Sequence, residues 1–278
     1  MVENISTRSL VILFMTIILY IRIPRSNTQV IYNSGEECYL EERIARLEKE
    51  LATLRHERKP ADCLALYESG YTCSGVYTIY PGCGQSNVFC NMEISGGGWT
   101  VIQNRFDGSV DFDRDWVTYK NGFGTSTGEY WIGNDVIHEL TKANTSSLYV
   151  SITLTNGTTL FEQYEKFSVT SERDNYRLFI AGQATGTLGD SIIKREKAGD
   201  IINGMMFTTS DRDNDKNPRN NCGREHSGGW WFNYCHDAYL NGVYGSSSWM
   251  QPWTPTLPLG TLIRKTMMML KRLKPEGF

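Results

Sequence analysis

Between Asp211 and Tyr244 the chain brings together Asp211, Asp213, Asp215, Cys222, Cys235, a Trp230-Trp231 pair, His236 and an Asn241-Gly242-Val243-Tyr244 turn. Gly, Asn and Ser recur from Gly182 onward, so this part of the chain is read as loop. A loop-rich region of that length needs covalent staples or metal ions to hold one shape. Carboxylates at alternate positions suit a hard cation. The two cysteines can staple the loop. Aromatics with one histidine beside the staple can wall a shallow ligand pocket. The span points to recognition outside the cell, not to catalysis.

The 278 residues are 40% hydrophobic, enough for a sizeable core in one or two domains. A net charge of -3 gives no basic excess for nucleic acid or an anionic membrane. The histidines are His56, His138, His226 and His236, and no nucleophile elbow, H-E-x-x-H or phosphate loop accompanies them. Gly96-Gly97-Gly98 precedes a strand and opens no helix, so it cradles no phosphate. No enzyme is expected. Seven cysteines include no C-x-x-C pair, which argues against zinc ribbons and thioredoxin-type sites. In a secretory context the six from Cys63 to Cys235 would form three bridges, leaving Cys38 to link chains.

That context rests on Leu10–Ile21, twelve uncharged apolar residues behind Arg8. A bilayer span needs roughly 20, so residues 1–23 are expected to be a cleaved signal peptide of a secreted protein. The alternatives are a type II membrane anchor and a buried helix. Residues 24–37 read as a polar linker. Over 38–59, Leu40, Ile44, Leu47, Leu51 and Leu54 alternate spacings of four and three. With Ile44 and Leu51 at position a, the pairs Arg43 with Glu48 and Glu50 with Arg55 are opposite in charge across a parallel coil. A short coiled coil is expected to make homo-oligomers, dimer or trimer, against the alternative of an amphipathic helix packed on the domain. Pro60 ends it.

From Ala61 the texture is globular. Ser74–Tyr80 and Trp99–Arg105 alternate like strands. Asp111–Lys120 and Asn134–Lys142 are expected to be helices, the second capped by Asn134 and Asp135. Leu148–Phe167 reads as a hairpin with a two-residue Asn156-Gly157 turn. Asn144 and Asn156 lie in glycosylation sequons.

Residues 61–275 then resemble one family. Cys63, Ser74–Pro81, Cys90, Gly96-Gly97-Gly98-Trp99-Thr100, Gly108–Phe112 and Gly128–Asn134 match, in order, the fibrinogen-like (fibrinogen C-terminal) domain. So do Asp213-Asn214-Asp215, Cys222, Trp230-Trp231, Cys235-His236 and Leu240–Tyr244. The resemblance implies an α+β fold: a disulfide-bonded N-terminal part, a twisted antiparallel sheet with short helices, and a loop-rich calcium-binding C-terminal part. It implies bridges Cys63–Cys90 and Cys222–Cys235; Cys73 and Cys83 are then paired as those remaining. It implies a calcium site with the carboxylates of Asp213 and Asp215 and the carbonyls of Asn217 and Arg219, which leaves Asp211 aside. It implies an acetyl-group pocket beside the second bridge, with Tyr234, Cys235, His236, His226, Tyr244 and Trp249 as its expected residues.

Two departures bear on that pocket. His226 stands where family lectins often place an aromatic, and only Gly245-Ser246-Ser247-Ser248 separates Tyr244 from Trp249, where a longer pocket-lining loop is usual. The main expectation is a secreted, oligomeric, calcium-dependent lectin for acetylated glycans, with a role in innate defence. The alternative is an angiopoietin-like extracellular ligand or adhesion factor that binds a protein. The short loop favours the second.

Overall fold

Alternating and fully apolar runs combine into one nine-stranded sheet whose pairings are all antiparallel. The computed structural model describes residues 43–48, 59–82, 84–143, 146–193, 201–246, 253–254, 256–257 and 260–273. The protein divides into two compact units, Met1–Arg58 and Lys59–Phe278. Of the first unit, residues 43–48 are helical, within the expected coil, and Leu47 is half-exposed. Cys38 and the apolar run 10–21 lie outside the described residues.

In the second unit the strands are β1 (Gly75–Ile79), β2 (Ser86–Asn91), β3 (Trp99–Arg105), β4 (Phe123–Gly124), β5 (Tyr130–Trp131), β6 (Ser146–Leu154), β7 (Thr159–Val169), β8 (Leu178–Gly186) and β9 (Ile263–Arg272). Their main order is β1-β2-β3-β9-β6-β7-β8. The last strand therefore sits mid-sheet, and its Met268, Met269 and Leu270 are buried. The helices are α1 (Cys63–Glu68), α2 (Trp116–Asn121), α3 (Asn134–Thr141) and α4 (Cys222–Glu225). The Cys63–Cys90 bridge ties α1 to β2. Asp62 caps α1 through the Ala65 N–H and pairs with Arg272 of β9 at 2.8 Å. Within the Gly96–Gly98 run, Gly97 has φ +68°, and a Cβ there would meet the Met92 carbonyl oxygen at 2.6 Å.

Three local expectations differ from the structure. Residues 111–115 are not helical. Asp111 accepts a bond from the Asp113 N–H, and Asp115 caps α2 through the Thr118 N–H, so the helix begins at Trp116. Asn134 does not cap α3: it is the first helical residue, and its Oδ1 accepts the Trp131 indole N–H. The β6–β7 turn has four residues, not two, closed by Leu154 N–H to Thr158 O, with Asn156 Oδ1 accepting the Thr158 N–H.

The Cys73–Cys83 pairing is also corrected. Cys73 is a free, exposed thiol just before β1. Gly82 and Gly84, the sequence neighbours of Cys83, follow the far end of that strand, where Ile79 pairs with Ser86. Five extended residues separate the two ends by about 13 Å, whereas a disulfide holds its Cα atoms within about 7 Å. Cys83 itself lies outside the described residues, as does Asn144. Asn156 is exposed at the hairpin tip.

Candidate functional site

The segment 201–246 has no strand among its described residues and only the single turn of α4. Polar side chains bonding to backbone take the place of ladders. Thr208 and Trp230 exchange backbone bonds of 2.8 and 3.1 Å. Asn233 Nδ2 donates to the Ile201 carbonyl, and Asn241 Nδ2 to the Gly229 carbonyl. Gln103 of β3 donates to Leu240 O and Asn241 Oδ1, and Arg105 of β3 donates to Gly242 O. The Asn241-Gly242 turn is therefore clamped to the sheet.

Asp211 Oδ1 accepts bonds from the Trp116 N–H and the Thr209 hydroxyl, so its carboxylate joins this segment to α2. Asp215 has a different setting. Its Oδ1 accepts the Asn217 N–H and its Oδ2 the Cys222 N–H, both at 2.8 Å. Burial, and then the nearby Asp213 charge, push its carboxyl up to about 6. Asp213 Oδ1 accepts the Asp215 N–H at 3.3 Å. Two carboxylates thus crowd one half-buried turn, with no basic side chain bonded to either among the described residues. Asn217 Oδ1 accepts the Arg219 N–H. Among the described residues no hydrogen bond ends on the carbonyl oxygens of Asn217 or Arg219. Paired carboxylates with uncommitted carbonyls form an all-oxygen donor set, which suits a calcium-sized hard cation. Glu225, His226 and Cys235 also converge, with ligand atoms within 4.8 Å, but the Cys235 sulfur is committed to Cys222. That group cannot supply a thiolate to zinc.

The Cys222–Cys235 bridge closes the loop beside Asp215, with Asn217 Nδ2 near both sulfurs at 3.9 and 3.8 Å. Cys235 has φ +68°, an unusual backbone for a non-glycine residue, held by Asn233 N–H to Cys235 O at 2.9 Å and by the bridge. Tyr234, between them, is 58% exposed.

The expected pocket residues do not line one open cleft. His226 is buried, and its ring centre lies 4.5 Å from that of His236. Phe232 and Tyr239 complete an aromatic cage around His236, at 5.8 and 4.9 Å. Both ring nitrogens of His236 are buried without a hydrogen-bond partner among the described residues, and burial pushes its pKa down to about 3. Burial also lowers the pKa of His226. Tyr244 packs elsewhere: its ring rests on Gly108, and its hydroxyl lies 2.7 Å from the Phe106 carbonyl and 2.8 Å from that of Arg264. Tyr244 is a brace and not a pocket wall. Trp249 lies outside the described residues. Trp230 and Trp231 are both core rings.

Sequence reasoning missed two contributors. Asn233 ties the loop's base to Ile201 and accepts the Lys216 N–H through its carbonyl. Glu129, buried, gathers the N–H groups of Phe106, Asp107, Gly108 and Val110 and so shapes the turn on which Tyr244 rests. Glu129 lies inside the matched Gly128–Asn134 motif, which was the available signal.

Residues 59–271 match the family model of the C-terminal globular domain of the fibrinogen beta and gamma chains. Mouse and human angiopoietin-1 are each 42% identical over 197 residues, covering 68% of this protein. The aligned part is 37% of the length of those relatives. The fibrinogen-like domain of human ANGPTL6 superposes with a TM-score of 0.71 at 35% identity, covering 78% of this protein and 96% of that one. A lamprey fibrin D-dimer complexed with the peptide Gly-His-Arg-Pro-amide superposes at 0.67 with 29% identity, covering 98% of this protein and 95% of that one. The match over the sheet, the bridges and the 201–246 segment together establishes that the protein belongs to the fibrinogen C-terminal domain family.

Proposed function

We propose that this protein is an extracellular, calcium-ordered recognition protein that engages a protein partner as an angiopoietin-type ligand. It is not an enzyme; fibrinogen-like domains of this kind bind and signal. The observation that carries the reading is the disposition of the pocket residues. His226 and His236 are turned into an aromatic cage and Tyr244 is clamped to Phe106 and Arg264, while Tyr234 stands exposed on the stapled loop. An exposed aromatic on a disulfide-stapled loop suits a protein surface better than a small acetyl group. The similarity to angiopoietin-1 and to ANGPTL domains supports the same choice. The lamprey relative's bound peptide supports polypeptide as a ligand class for this fold.

Calcium enters as part of the proposal, held by the carboxylates of Asp213 and Asp215 and the carbonyls of Asn217 and Arg219. The ion would offset the repulsion of the two carboxylates and fix the turn that carries the bridge. Secretion through residues 1–23 places the domain where disulfides persist. The coil at 38–59, with Cys38 at its start, would present several copies and raise avidity.

The test is a paired binding experiment on the secreted full-length protein. Retention on untreated cells that is abolished by protease treatment of those cells, with no retention on an N-acetylglucosamine resin, is the expected result. Retention on the resin with elution by free sugar would overturn the protein-partner reading in favour of a lectin.

A further inference from the structure

β8 is the outer strand of the sheet, and α3 packs over β7 beside it. The register sets Ser168 opposite Phe179 and Lys166 opposite Ala181, so these four share one sheet face. Phe179 on that face is 50% exposed. The end of α3 and this bare strip enclose an open cavity of about 470 Å³, lined by His138, Lys142, Lys166, Val169, Phe179 and Ala181 among others. Its size falls within the range of about 300–1,000 Å³ typical of small-molecule sites.

The polar groups at the rim are mostly basic or donors. Lys142 is paired with Glu139 at 2.7 Å. The Lys166 ammonium and the Ser171 hydroxyl, which also line the cavity, have no hydrogen-bond or ion-pair partner among the described residues. His138 Nδ1 lies 2.8 Å from the Val169 carbonyl. A carbonyl only accepts, so Nδ1 carries the proton and Nε2 is left uncommitted. An apolar floor with an unpaired ammonium at its edge complements a ligand with an apolar body and a negative head.

We propose that this groove binds a small, free anionic amphiphile, a carboxylate or sulfonate on a ring-sized or short aliphatic body. Phe179 and Ala181 would take the body, and Lys166 the head. The groove shares no lining residue with the calcium turn or the His236 cage.

The test uses the secreted full-length protein, with anilinonaphthalene sulfonate as fluorescent probe and octanoate as competitor. Saturable probe binding displaced by octanoate is expected. Lys166→Glu and Phe179→Ser are each expected to weaken it by at least about tenfold, since one opposes the head and the other removes the floor. Val117→Ser, an exposed apolar site on α2, is expected to leave it unchanged. No saturable binding, or equal loss in all three variants, overturns the proposal. Should the variants fold poorly, hydrogen exchange on the wild type decides. Protection by octanoate confined to 138–142 and 166–181 supports the groove, and protection elsewhere or nowhere overturns it.

Discussion

In β6, Leu148, Val150 and Ile152 lie in a strand laddered on both sides, to β9 and to β7, and all three are buried. In 201–246, the equivalent restraint comes from Asp215 on two N–H groups, Asn233 on Ile201, Asn241 on Gly229 and a bridge between cysteines 13 residues apart. Both regions reach the same core. Trp231, from the second, packs at 6.2 Å against Trp131 of β5 and donates its indole N–H to Tyr176 O. One region is held by apolar area and repeated backbone pairing, which any apolar residue of similar shape can serve. The other is held by individual polar atoms, each of which has one correct partner. That difference favours recognition in the second region, where surface residues are released from packing and the backbone is still fixed.

Four perturbations separate the regions, from the largest effect to the smallest. Ile152→Ala is expected to cost about 2–5 kcal/mol by leaving a cavity in the sheet, equally with calcium and with chelator, as read by denaturant unfolding. Replacing Cys222 and Cys235 together by Ser is expected to cost about 3 kcal/mol for a loop of this length. It should also weaken calcium uptake, read by titration calorimetry, because Asp215 bonds the Cys222 N–H.

Acid provides the third. The His236 pKa is depressed to about 3 in the fold, below its unfolded value of about 6.5. Its contribution is complete above the unfolded value and is lost as pH falls through the interval toward 3. The loss is about 2 kcal/mol at pH 5, and His236→Phe is expected to flatten that part of the stability profile. Asp215 runs the other way. Its folded pKa is raised to about 6, so without metal its ionisation lowers stability as pH rises from the unfolded value of about 3.9 toward 6. Proton and cation compete for the same oxygens, and calcium affinity is expected to be about tenfold weaker at pH 5 than at pH 7.5. Tyr234→Ala is the smallest in stability, within about 0.5 kcal/mol for an exposed side chain, yet it should abolish protease-sensitive cell binding.

The two regions were also unequally legible in the sequence. β3 matches its expected bounds of Trp99–Arg105, and the β6–β7 hairpin was visible because alternation records which side faces the core. Errors arose where a short polar side chain bonds locally. Asp111 and Asp115 delayed a helix, Asn134 bonded an indole instead of capping, and Asn156 widened a turn. In 201–246 the family pattern supplied Asp213, Asp215 and the Cys222–Cys235 bridge, but not the geometry of the pocket. Tyr244 and His236 keep their places in the sequence while one became a brace and the other a ring with buried nitrogens. Spacing names such residues; only the folded backbone says where they point. The Cys73–Cys83 pairing erred for the same reason, since Cys73 is a free thiol and β1 separates it from Gly82 and Gly84.

Hydrogen exchange of the secreted full-length protein, with calcium and with chelator, tests most directly the claim that a cation orders the recognition segment. Calcium is expected to slow exchange across 211–235 while leaving the amides of β3, β6 and β9 unchanged, and Asp215→Asn should remove the difference. Exchange insensitive to calcium in 211–235, or slowed equally throughout the sheet, would contradict it.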